Sequence, residues 1–327
     1  MSAQRHGAAQ RRTTVTPSPG EGVGGRAHHR VCAVIVSFHP DRGQLECQLA
    51  ALRPQAEFAV CVDNSKDASV HDMLVQLGER YAMQVLALPD NLGIAAAHNA
   101  GIDFARRAQA THVLLLDQDS VPAADMVTRL LAASRVLSER GSDVAAVGPA
   151  IIDAHDTAAA GATLVPVDVL ISSGMLIALG AIDRLGAMDE TLFIDQVDSE
   201  WCLRARAAGA RSYRVGEARM THRLGSRTLR LWLLRWYRVP VHTPQRHYFN
   251  FRNSVRLYRR SYVPLSWMLR DLPRLLKLLL FFSIVGKDRV RHLGMMLRGV
   301  RDGWRDLGGN PFPGQGLSDG SANEGDA

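Results

Sequence analysis

The sequence predicts an α/β fold with a mostly parallel sheet and helices on both of its faces. Strand-like and helix-like segments alternate through the first half of the chain, which is typical of such a sheet. The strand-like segments are continuous apolar runs, as expected for parallel strands that are covered on both faces. At 327 residues, with 46% hydrophobic and 22% charged residues, the chain can bury a full core and carry an additional segment.

The elements can be placed in order along the chain. VCAVIVSF, residues 31–38, predicts the first strand, and helix-like spacing follows through Leu52. FAVCVDNS, residues 58–65, predicts a second strand, followed by a helix over 69–81 and a short strand over 83–89. A glycine-containing loop then opens an alanine-rich helix, and THVLLLDQDS predicts the fourth strand.

The fourth strand ends in LLLDQDS, residues 114–120, which places Asp117 and Asp119 one residue apart. One interpretation is structural: Ser120 caps a following helix, with Pro122 in its first turn. That interpretation accounts for Ser120 but gives Asp117 no role. These residues alone leave both a structural and a functional interpretation open.

Polar side chains follow all four predicted strands. Because ligands of such sheets bind outside the carboxyl ends of the strands, these groups predict a binding site at one edge. Asp63 can accept a hydrogen bond from a base or a ribose, or it can be a turn residue. Gly93 allows close approach of the backbone to a ligand, and the helix that follows it favours anions. The groups are Ser37–His39, Asp63–Ser65, Asn91–Gly93 and Asp117–Asp119.

The aspartate pair has a chemical use at such an edge. Carboxylates are hard oxygen ligands of the kind that hold Mg²⁺ or Mn²⁺. Two aspartates alone bind such an ion poorly, but the oxygens of a diphosphate can complete its coordination. The pair therefore favours a metal bound together with a nucleotide.

The cysteines and the termini indicate an intracellular protein. The four cysteines are scattered without a CxxC pair, so we expect neither a disulfide framework nor a zinc site, and a reducing cytoplasm. Residues 1–30 lack the apolar run of a signal peptide. We expect disordered tails at 1–30 and 313–327.

The charge is unevenly distributed. Residues 219–308 contain 20 Lys and Arg against 4 Asp and Glu, a net charge of +16 in a chain whose total is +7, so the remainder carries −9. A basic segment of this kind points to a nucleic acid or to a membrane surface. One function class is thus a nucleic-acid-binding protein with a nucleotide-binding body. Its candidate stacking residues are Trp232, Trp236, Tyr237, Tyr248, Phe249, Phe251 and Tyr258.

The apolar stretch LPRLLKLLLFFSIVG is too hydrophobic for a solvated groove and favours the membrane. Leu275–Gly286 would form a helix about 18 Å long, against a hydrocarbon core of about 30 Å, so it cannot span. Its basic flanks suit anionic headgroups. We expect peripheral attachment to the inner face of the cytoplasmic membrane; a helical lid on the body of the protein is the alternative, and both roles could coexist. The flanking cations are Arg270, Arg274, Lys287, Arg289 and Arg291.

Six motifs together resemble glycosyltransferase family 2. They are VSFHPD, VDNS, NLGIAAAHNAGI, LLLDQDS, SSGMLIALGAIDRLGAMDETLFIDQVDSEWCLRARAAG and THRLGS, in the order seen in that family, over roughly residues 31–310. The resemblance implies an inverting, metal-dependent enzyme with a GT-A catalytic domain over 31–225. Residues 226–312 would then be a helical, membrane-associating segment.

The variant LLDQDS with LFIDxVDxEW looks most like bacterial rhamnosyltransferases that use dTDP-L-rhamnose. The resemblance therefore implies transfer of L-rhamnose to a lipid-linked or polysaccharide acceptor in cell-surface glycan synthesis, such as O-antigen or cell wall. A hexose or galactofuranose donor is the alternative within the family.

The resemblance also implies roles for individual residues. Asp119 and His222 would hold Mg²⁺ or Mn²⁺, and Asp117 would lie near the donor ribose or a metal-bound water. Asp63 would lie on the nucleobase side. The further residues expected at the donor nucleotide are Ser37, Phe38, Asn91, Gly93 and Asn99.

The catalytic base of the family falls on Asp198 in FIDQVDSEW. Here the chain departs from the commoner Glu-Asp pattern, because Val197 precedes Asp198, and Asp195 and Glu200 are rival bases. Carboxylates at the start of the helix WCLRARAAG also suit its dipole, which is the structural alternative. The expected acceptor-side residues are Ser173, Gly174, Asp195, Glu200 and Trp201.

Overall fold

The structure is a computed structural model that describes residues 29–152, 163–222, 228–232, 236–240, 243–284 and 288–313. At 152, 222, 228–232 and 236–240 it describes the backbone alone. The predicted tails lie almost wholly outside the described residues and stay predictions. So does any stacking role of Trp232, Trp236 and Tyr237, whose side chains are not described.

The main sheet confirms the predicted α/β class. Its nine described strands run in the order β3-β2-β1-β4-β8-β6-β9-β5, and β7 pairs with β9. β3, β2, β1 and β4 are parallel, as are β6 and β9, whereas β8 is antiparallel to both of its neighbours. The strands are β1 (Val31–Ser37), β2 (Phe58–Asp63), β3 (Gln84–Ala87), β4 (His112–Asp117), β5 (Ser120–Pro122), β6 (Val144–Ile152), β7 (Leu164–Val167), β8 (Leu176–Ala178) and β9 (Arg211–His222).

Helices follow the strands as the sequence predicts, and a second sheet of two strands precedes the last three helices. The helices are α1 (Arg42–Leu52), α2 (Ala68–Tyr81), α3 (Ile94–Arg107), α4 (Met126–Glu139), α5 (Leu179–Leu185), α6 (Val197–Ala207), α7 (Pro244–Tyr258), α8 (Leu265–Ile284) and α9 (Arg289–Trp304), with a short 3₁₀ helix at Glu190–Leu192. The second sheet pairs β10 (Thr228–Trp232) with β11 (Trp236–Pro240).

The continuous apolar run of β1 has a direct cause. All seven of its residues are buried, and alternate side chains enter two different cores. Cys32 and Val34 pack with α3 and α6, while Ala33 and Ile35 pack with α1, α2 and α4. A central strand between two helical layers has no solvent face, so no polar alternation appears in its sequence.

The prediction that Ser120 caps a helix is wrong. Ser120–Pro122 is a short strand paired with the end of β9, and α4 begins six residues later, at Met126. The Ser120 hydroxyl accepts a hydrogen bond from Ser173 at 2.6 Å, and its carbonyl accepts one from Gln48 at 2.7 Å. These long-range contacts outweigh the local preference for a cap.

The three C-terminal helices pack closely on one another. Two glycines one turn apart on α9 allow it to lie close to α7. A Cβ at Gly299 would lie 2.5 Å from the Tyr248 carbonyl oxygen, and one at Gly303 would lie 2.5 Å from that of Arg252. Tyr248, Phe249 and Phe251 are buried in this contact, so they are unavailable for stacking on nucleic-acid bases.

α8 is longer than the predicted apolar run. It begins at Leu265 and comprises 20 residues, with Pro273 inside it. Charged residues, among them Arg270 and Asp271, lie in its first half. Within the ranges described, no helix is both long enough and apolar enough to cross a membrane.

Candidate active site

The carboxyl ends of the central strands meet at one edge of the sheet. In the register of the sheet, Ser37 at the end of β1 lies beside Asp63 on β2, and Val36 lies beside Asp117 on β4. Residues distant in the sequence are therefore neighbours because of strand pairing. This is the edge at which the sequence predicts a donor site.

Hydrogen bonds fix the loops of this edge to one another. Asn64 donates to the Gly93 carbonyl and accepts from the Leu92 N–H, both at 3.1 Å. Asn91 accepts from the Gly93 N–H at 3.1 Å, and buried Asp63 accepts from the Ser65 N–H at 2.9 Å. The loops that follow β2 and β3 thus act as one rigid unit.

The loop after β1 is held by a residue that the sequence analysis missed. Gln118, between the two aspartates, accepts from the Phe38 N–H at 2.7 Å and donates to the Phe38 carbonyl at 3.2 Å. The Phe38 ring is half-buried, whereas Ser37 is fully buried and accepts from the Cys61 thiol. Phe38 is therefore placed to line a pocket, while the Ser37 side chain belongs to the core beneath it.

The aspartate turn is fixed through its backbone. Gln48 on α1 donates to the Asp117 carbonyl at 2.7 Å, and Gln44 donates to the Asp119 carbonyl at 3.0 Å. The Asp117 N–H donates to the Ser173 hydroxyl at 3.1 Å. Both aspartates are half-buried. Their carboxylates thus extend from a turn whose main chain is already bonded elsewhere.

The side chains of this turn fit a divalent cation whose coordination is completed by the oxygens of a bound diphosphate. Among the residues described here, no group of three or more His, Cys, Asp or Glu could hold a metal by itself. The aspartates supply hard oxygens, and Ser120, next to Asp119, is the strand partner of His222. The His222 side chain lies outside the described residues, so its role as a ligand stays a prediction.

Gly93 serves close packing. Its φ is +87°, and an added Cβ would lie 2.4 Å from the Phe193 carbonyl oxygen. That same carbonyl accepts from the N–H of Ile94, the first residue of α3, at 2.8 Å. The first turn of α3 has N–H groups without a partner inside the helix, and one of them is therefore bonded to another part of the protein.

Asn99 is held by hydrogen bonds within the protein. Its amide donates to the Met188 carbonyl at 3.0 Å and to Glu190 at 2.7 Å, and it accepts from the Met188 N–H at 3.0 Å. Both ends of the amide are thus occupied by the segment before α6. A contact of Asn99 with the donor nucleotide stays a prediction.

Asp198 has the surroundings of a general base. It lies in the first turn of α6, accepts from the Ser199 N–H at 2.7 Å, and accepts from the Ser172 N–H at 3.3 Å. Burial raises its pKa, the neighbouring Asp195 carboxylate raises the pKa further, and the two N–H donors oppose the increase. A partly buried carboxylate with a raised pKa is a better proton acceptor than an exposed one.

The rival base Glu200 is excluded by its contacts. It is 2% exposed, and its carboxylate accepts two hydrogen bonds from Arg204, at 2.7 and 3.0 Å, and one from Tyr262 at 2.7 Å. The neighbouring Trp201 is fully buried and donates to the Gly186 carbonyl. Both residues are scaffold, so their expected acceptor-side roles are wrong.

Ser172 and Ser173 connect the aspartate turn with Asp198. The Ser173 side chain bonds to the turn at the Asp117 N–H, and the Ser172 N–H bonds to the Asp198 carboxylate. Ser173 and Gly174 are both buried, and a Cβ on Gly174 would clash with Pro149. They support the site from beneath and are not acceptor-side surface. The aspartate turn and Asp198 therefore belong to one site.

The loop that carries Asp195 is held from α7. The Asn253 amide nitrogen lies 2.9, 2.7 and 2.9 Å from the carbonyl oxygens of Leu192, Ile194 and Asp195. Buried Arg252 donates to the Leu192 carbonyl at 2.9 Å. No local pattern in the sequence marks these two residues, because their partners lie about 60 positions earlier. Asp195 itself pairs with Arg246 at 3.4 Å.

A cavity of about 330 Å³ opens beside Asp198. The start of α6 supplies one part of its lining, and α7 and α8 supply another. The C-terminal helices therefore complete the site. The lining residues are Val169, Asp195, Gln196, Asp198, Ser199, Asn250, Trp267, Asp271 and Arg274.

Comparison with known proteins supports the family that the motifs resemble. Residues 35–162 match the family model described as Glycosyl transferase family 2. The chain is also 27% identical to the dTDP-rhamnosyl transferase RfbF of Shigella flexneri over 297 residues, which are 85% of this chain and 97% of that protein. Over residues 35–162 the chain thus matches glycosyltransferase family 2, in agreement with the motifs.

Two solved structures show the same fold as this chain. GalNAc-T7 with UDP, GalNAc and Mn²⁺ aligns with a TM-score of 0.55 at 12% identity, over 85% of this chain and 56% of that one. The mannosyltransferase PcManGT from Pyrobaculum calidifontis, in complex with GDP-Man and Mn²⁺, aligns with a TM-score of 0.52 at 13% identity, over 84% and 75%. The GT-A fold and the nucleotide-sugar glycosyltransferase activity implied by the motifs are confirmed.

Proposed function

We propose that this glycosyltransferase moves L-rhamnose from dTDP-L-rhamnose, with inversion, to a lipid-linked or polysaccharide acceptor. The link from the aspartate turn through Ser172 and Ser173 to Asp198 supports this most directly, because it joins a diphosphate site to a proton acceptor. The donor sugar follows from the likeness to RfbF, which extends over 97% of that protein.

Asp198 removes the proton from the attacking acceptor hydroxyl. Its raised pKa, set first by burial, makes it a competent acceptor of that proton. The hydrogen bonds from the N–H groups of Ser199 and Ser172 hold the carboxylate in place. Attack from the side opposite to the diphosphate inverts the anomeric centre.

Asp119, with Asp117 and His222, is the set that would hold a divalent cation. When bound, such a cation acts as a Lewis acid that neutralises the charge of the nucleoside diphosphate as it leaves. The protein prepares this place by bonding the backbone of the turn to Gln44 and Gln48 on α1.

Nucleotide release from a panel of sugar nucleotides tests the donor assignment. With Mn²⁺ present, we expect release from dTDP-L-rhamnose to exceed release from UDP-hexoses and from UDP-galactofuranose. Faster release from one of those donors would make this chain a transferase of another sugar within the family. Release from none of them would overturn the proposal.

We further propose that α8 and α9 attach the enzyme to the inner face of the cytoplasmic membrane. Each helix exposes one apolar stripe at helical spacing, with Val290 at 87% and Trp304 at 70% exposure. Contiguous exposed apolar surface of this kind marks an interaction site. The stripes are Leu265, Leu269, Leu272, Leu276, Leu280 and Ile284 on α8, and Val290, Leu293, Leu297, Val300 and Trp304 on α9.

Exposed cations on the same helices favour an anionic lipid surface as the occupant. Two cations expected there are used inside the protein, because Arg270 pairs with Asp168 and Arg274 pairs with Asp271. Lys287 lies outside the described residues, and its part in attachment stays a prediction. Basic side chains at the exposed surface of the two helices complement anionic headgroups, at about 1 kcal/mol each near the surface. Lys277 on α8 and Arg291 on α9 are exposed, whereas Arg301 pairs with Asp302 at 2.9 Å.

Flotation with phosphatidylglycerol–phosphatidylethanolamine vesicles tests the attachment. We expect the protein to bind at low salt and the double variant Leu276→Glu, Leu297→Glu to remain in solution. Val75→Glu, at an exposed apolar position on α2, is the matched control and should still bind. Equal binding by both variants would contradict the proposal, as would a stable dimer that buries the stripes.

A further inference from the structure

The cavity beside Asp198 has the composition of a sugar-binding pocket. Its volume of about 330 Å³ lies at the lower end of the range of about 300–1,000 Å³ for small-molecule sites. It combines one aromatic ring, Trp267, with several planar polar groups. Aromatic rings pack on the apolar face of a sugar ring, while carboxylates, amides and guanidinium groups bind its hydroxyls.

The polar wall of the cavity is already ordered. Arg274 donates to Asn250 and to Asp271, each at 2.6 Å, and to Ser254 at 3.3 Å. Asp271 in turn accepts from Tyr258 at 2.6 Å. Because these side chains hold one another in place, little conformational entropy is lost when a ligand binds to them.

The opposite side of the cavity is formed by Asp195 and Asp198. The Asp195 Oδ2 atom is buried without a hydrogen-bond partner in the described part of the chain, so it can accept from a ligand hydroxyl. The lining contains Asp195, Asp198 and Asp271 against one cation, Arg274, while Arg246 pairs with Asp195 from outside the lining. An excess of negative charge disfavours an anionic sugar.

We propose that this cavity binds the acceptor sugar and that it selects a neutral ring, with Trp267 as the stacking platform and Arg274 as the hydroxyl-binding group. The assignment rests on the proposed function, since Asp198 at the cavity removes the proton of the acceptor hydroxyl. Acidic sugars, such as uronic acids, are excluded by the three carboxylates.

One helix serves both the cavity and the proposed membrane face. Trp267, Asp271 and Arg274 lie on the side of α8 opposite to the exposed Leu269 and Leu276. A helix with its side chains is about 10 Å thick. The acceptor sugar is therefore bound about one helix diameter above the lipid surface, which suits the head of a lipid-linked glycan.

The test compares transfer to octyl glycosides with hydrolysis of the donor by water. Octyl glucoside and octyl N-acetylglucosaminide, below their micelle concentrations, should accept sugar from dTDP-L-rhamnose, whereas octyl glucuronide should not. Trp267→Ala and Arg274→Gln should raise the acceptor KM by about 10-fold or more, a much larger change than in the donor KM. Trp267→Phe, which keeps a ring, should recover much of the loss.

Arg270→Gln is the matched control, because Arg270 lies one turn from Arg274 but outside the cavity lining. It should leave both the acceptor KM and the Tm unchanged. Trp267→Ala and Arg274→Gln should lower the Tm, since Trp267 packs against the core and Arg274 pairs with Asp271, so the KM values are measured well below the Tm of every variant. The inference would be overturned if all variants had the same acceptor KM, or if the enzyme preferred the glucuronide. It would also be overturned if the enzyme hydrolysed the donor but transferred sugar to none of the neutral glycosides. Absence of nucleotide release from any donor would instead overturn the proposed function.

Discussion

The carboxyl edge of the sheet and the cavity beside Asp198 are built in different ways. At the edge, each polar residue directly follows a strand, and the register of the sheet alone sets Ser37 beside Asp63. The cavity takes residues from three helices, and its walls are joined by side-chain bonds such as that from Arg274 to Asn250. Main-chain pairing fixes the edge, whereas helix packing fixes the cavity.

Substitutions in the two regions should therefore have different effects. A change of an edge carboxylate leaves the sheet intact and acts on the chemistry, since the backbone there is already bonded. A substitution in the helices behind the cavity moves the residues that line it. It should therefore alter the stability of the protein and the binding of the acceptor together. The following experiments set one region against the other, from the largest expected effect to the smallest.

The largest effect is expected at the aspartate turn. Asp119→Asn and treatment with EDTA should each abolish transfer, because the diphosphate then leaves without a neutralising charge. The Tm without added metal should stay within about 1 °C of wild type, since the turn is held by its backbone. Full transfer in EDTA would show that no metal is used.

Asp198→Asn should lower turnover by about 10²-fold to 10⁴-fold and leave the donor KM near wild type. The amide keeps the shape of the side chain but cannot accept the proton. Asp195→Asn is the matched control, at the neighbouring carboxylate, and should keep more than a tenth of the wild-type turnover. If Asp195→Asn causes the large loss of turnover and Asp198→Asn does not, Asp195 is the base.

The pH dependence should follow Asp198. Because its pKa is raised, turnover should fall on acidification at a pH above the ordinary range of an aspartate. A raised pKa also means that the charged form costs stability at neutral pH, and that this cost disappears as the pH falls through the folded pKa. Asp198→Asn should therefore have an equal or higher Tm at pH 7, and a lower Tm would contradict this assignment.

Asn253→Leu tests how far the helices set the loop that carries Asp195. The change leaves up to three buried carbonyl oxygens without this donor, so unfolding should become easier by about 2–4 kcal/mol. Urea titration measures this value, and steady-state kinetics should show lower turnover as well. Gln76→Leu, at an exposed position on α2, is a surface control. Unchanged turnover in Asn253→Leu would show that the loop keeps its shape without α7.

The smallest effects distinguish two glycines on α9. Gly303→Ala should destabilise the protein by about 1–3 kcal/mol, since its Cβ would lie 2.5 Å from the Arg252 carbonyl oxygen. Gly294→Ala meets no atom within 4 Å and should stabilise the helix by about 0.5–1 kcal/mol. Thermal unfolding measures both. Equal shifts in Tm would mean that the contact of α9 with α7 is loose.

The sequence by itself determined the sheet and its edge, and it predicted the base. Continuous apolar runs mark strands covered on both faces, and the residue after each run must lie at the carboxyl edge. The positions of Asp63, Asp117 and Asp119 follow from that local pattern, and the family motifs placed the base at Asp198. A local pattern suffices here because strand pairing brings these residues together through the backbone alone.

Only the tertiary structure decided the roles of the other residues. Ser120 resembles a helix cap, but its bonds to Ser173 and Gln48 make it a strand. Glu200 resembles a catalytic carboxylate, but Arg204 neutralises it in the core. These outcomes depend on partners that are not evident from the local sequence. Whether a polar side chain is free for chemistry depends on which groups the folded chain brings within hydrogen-bond distance.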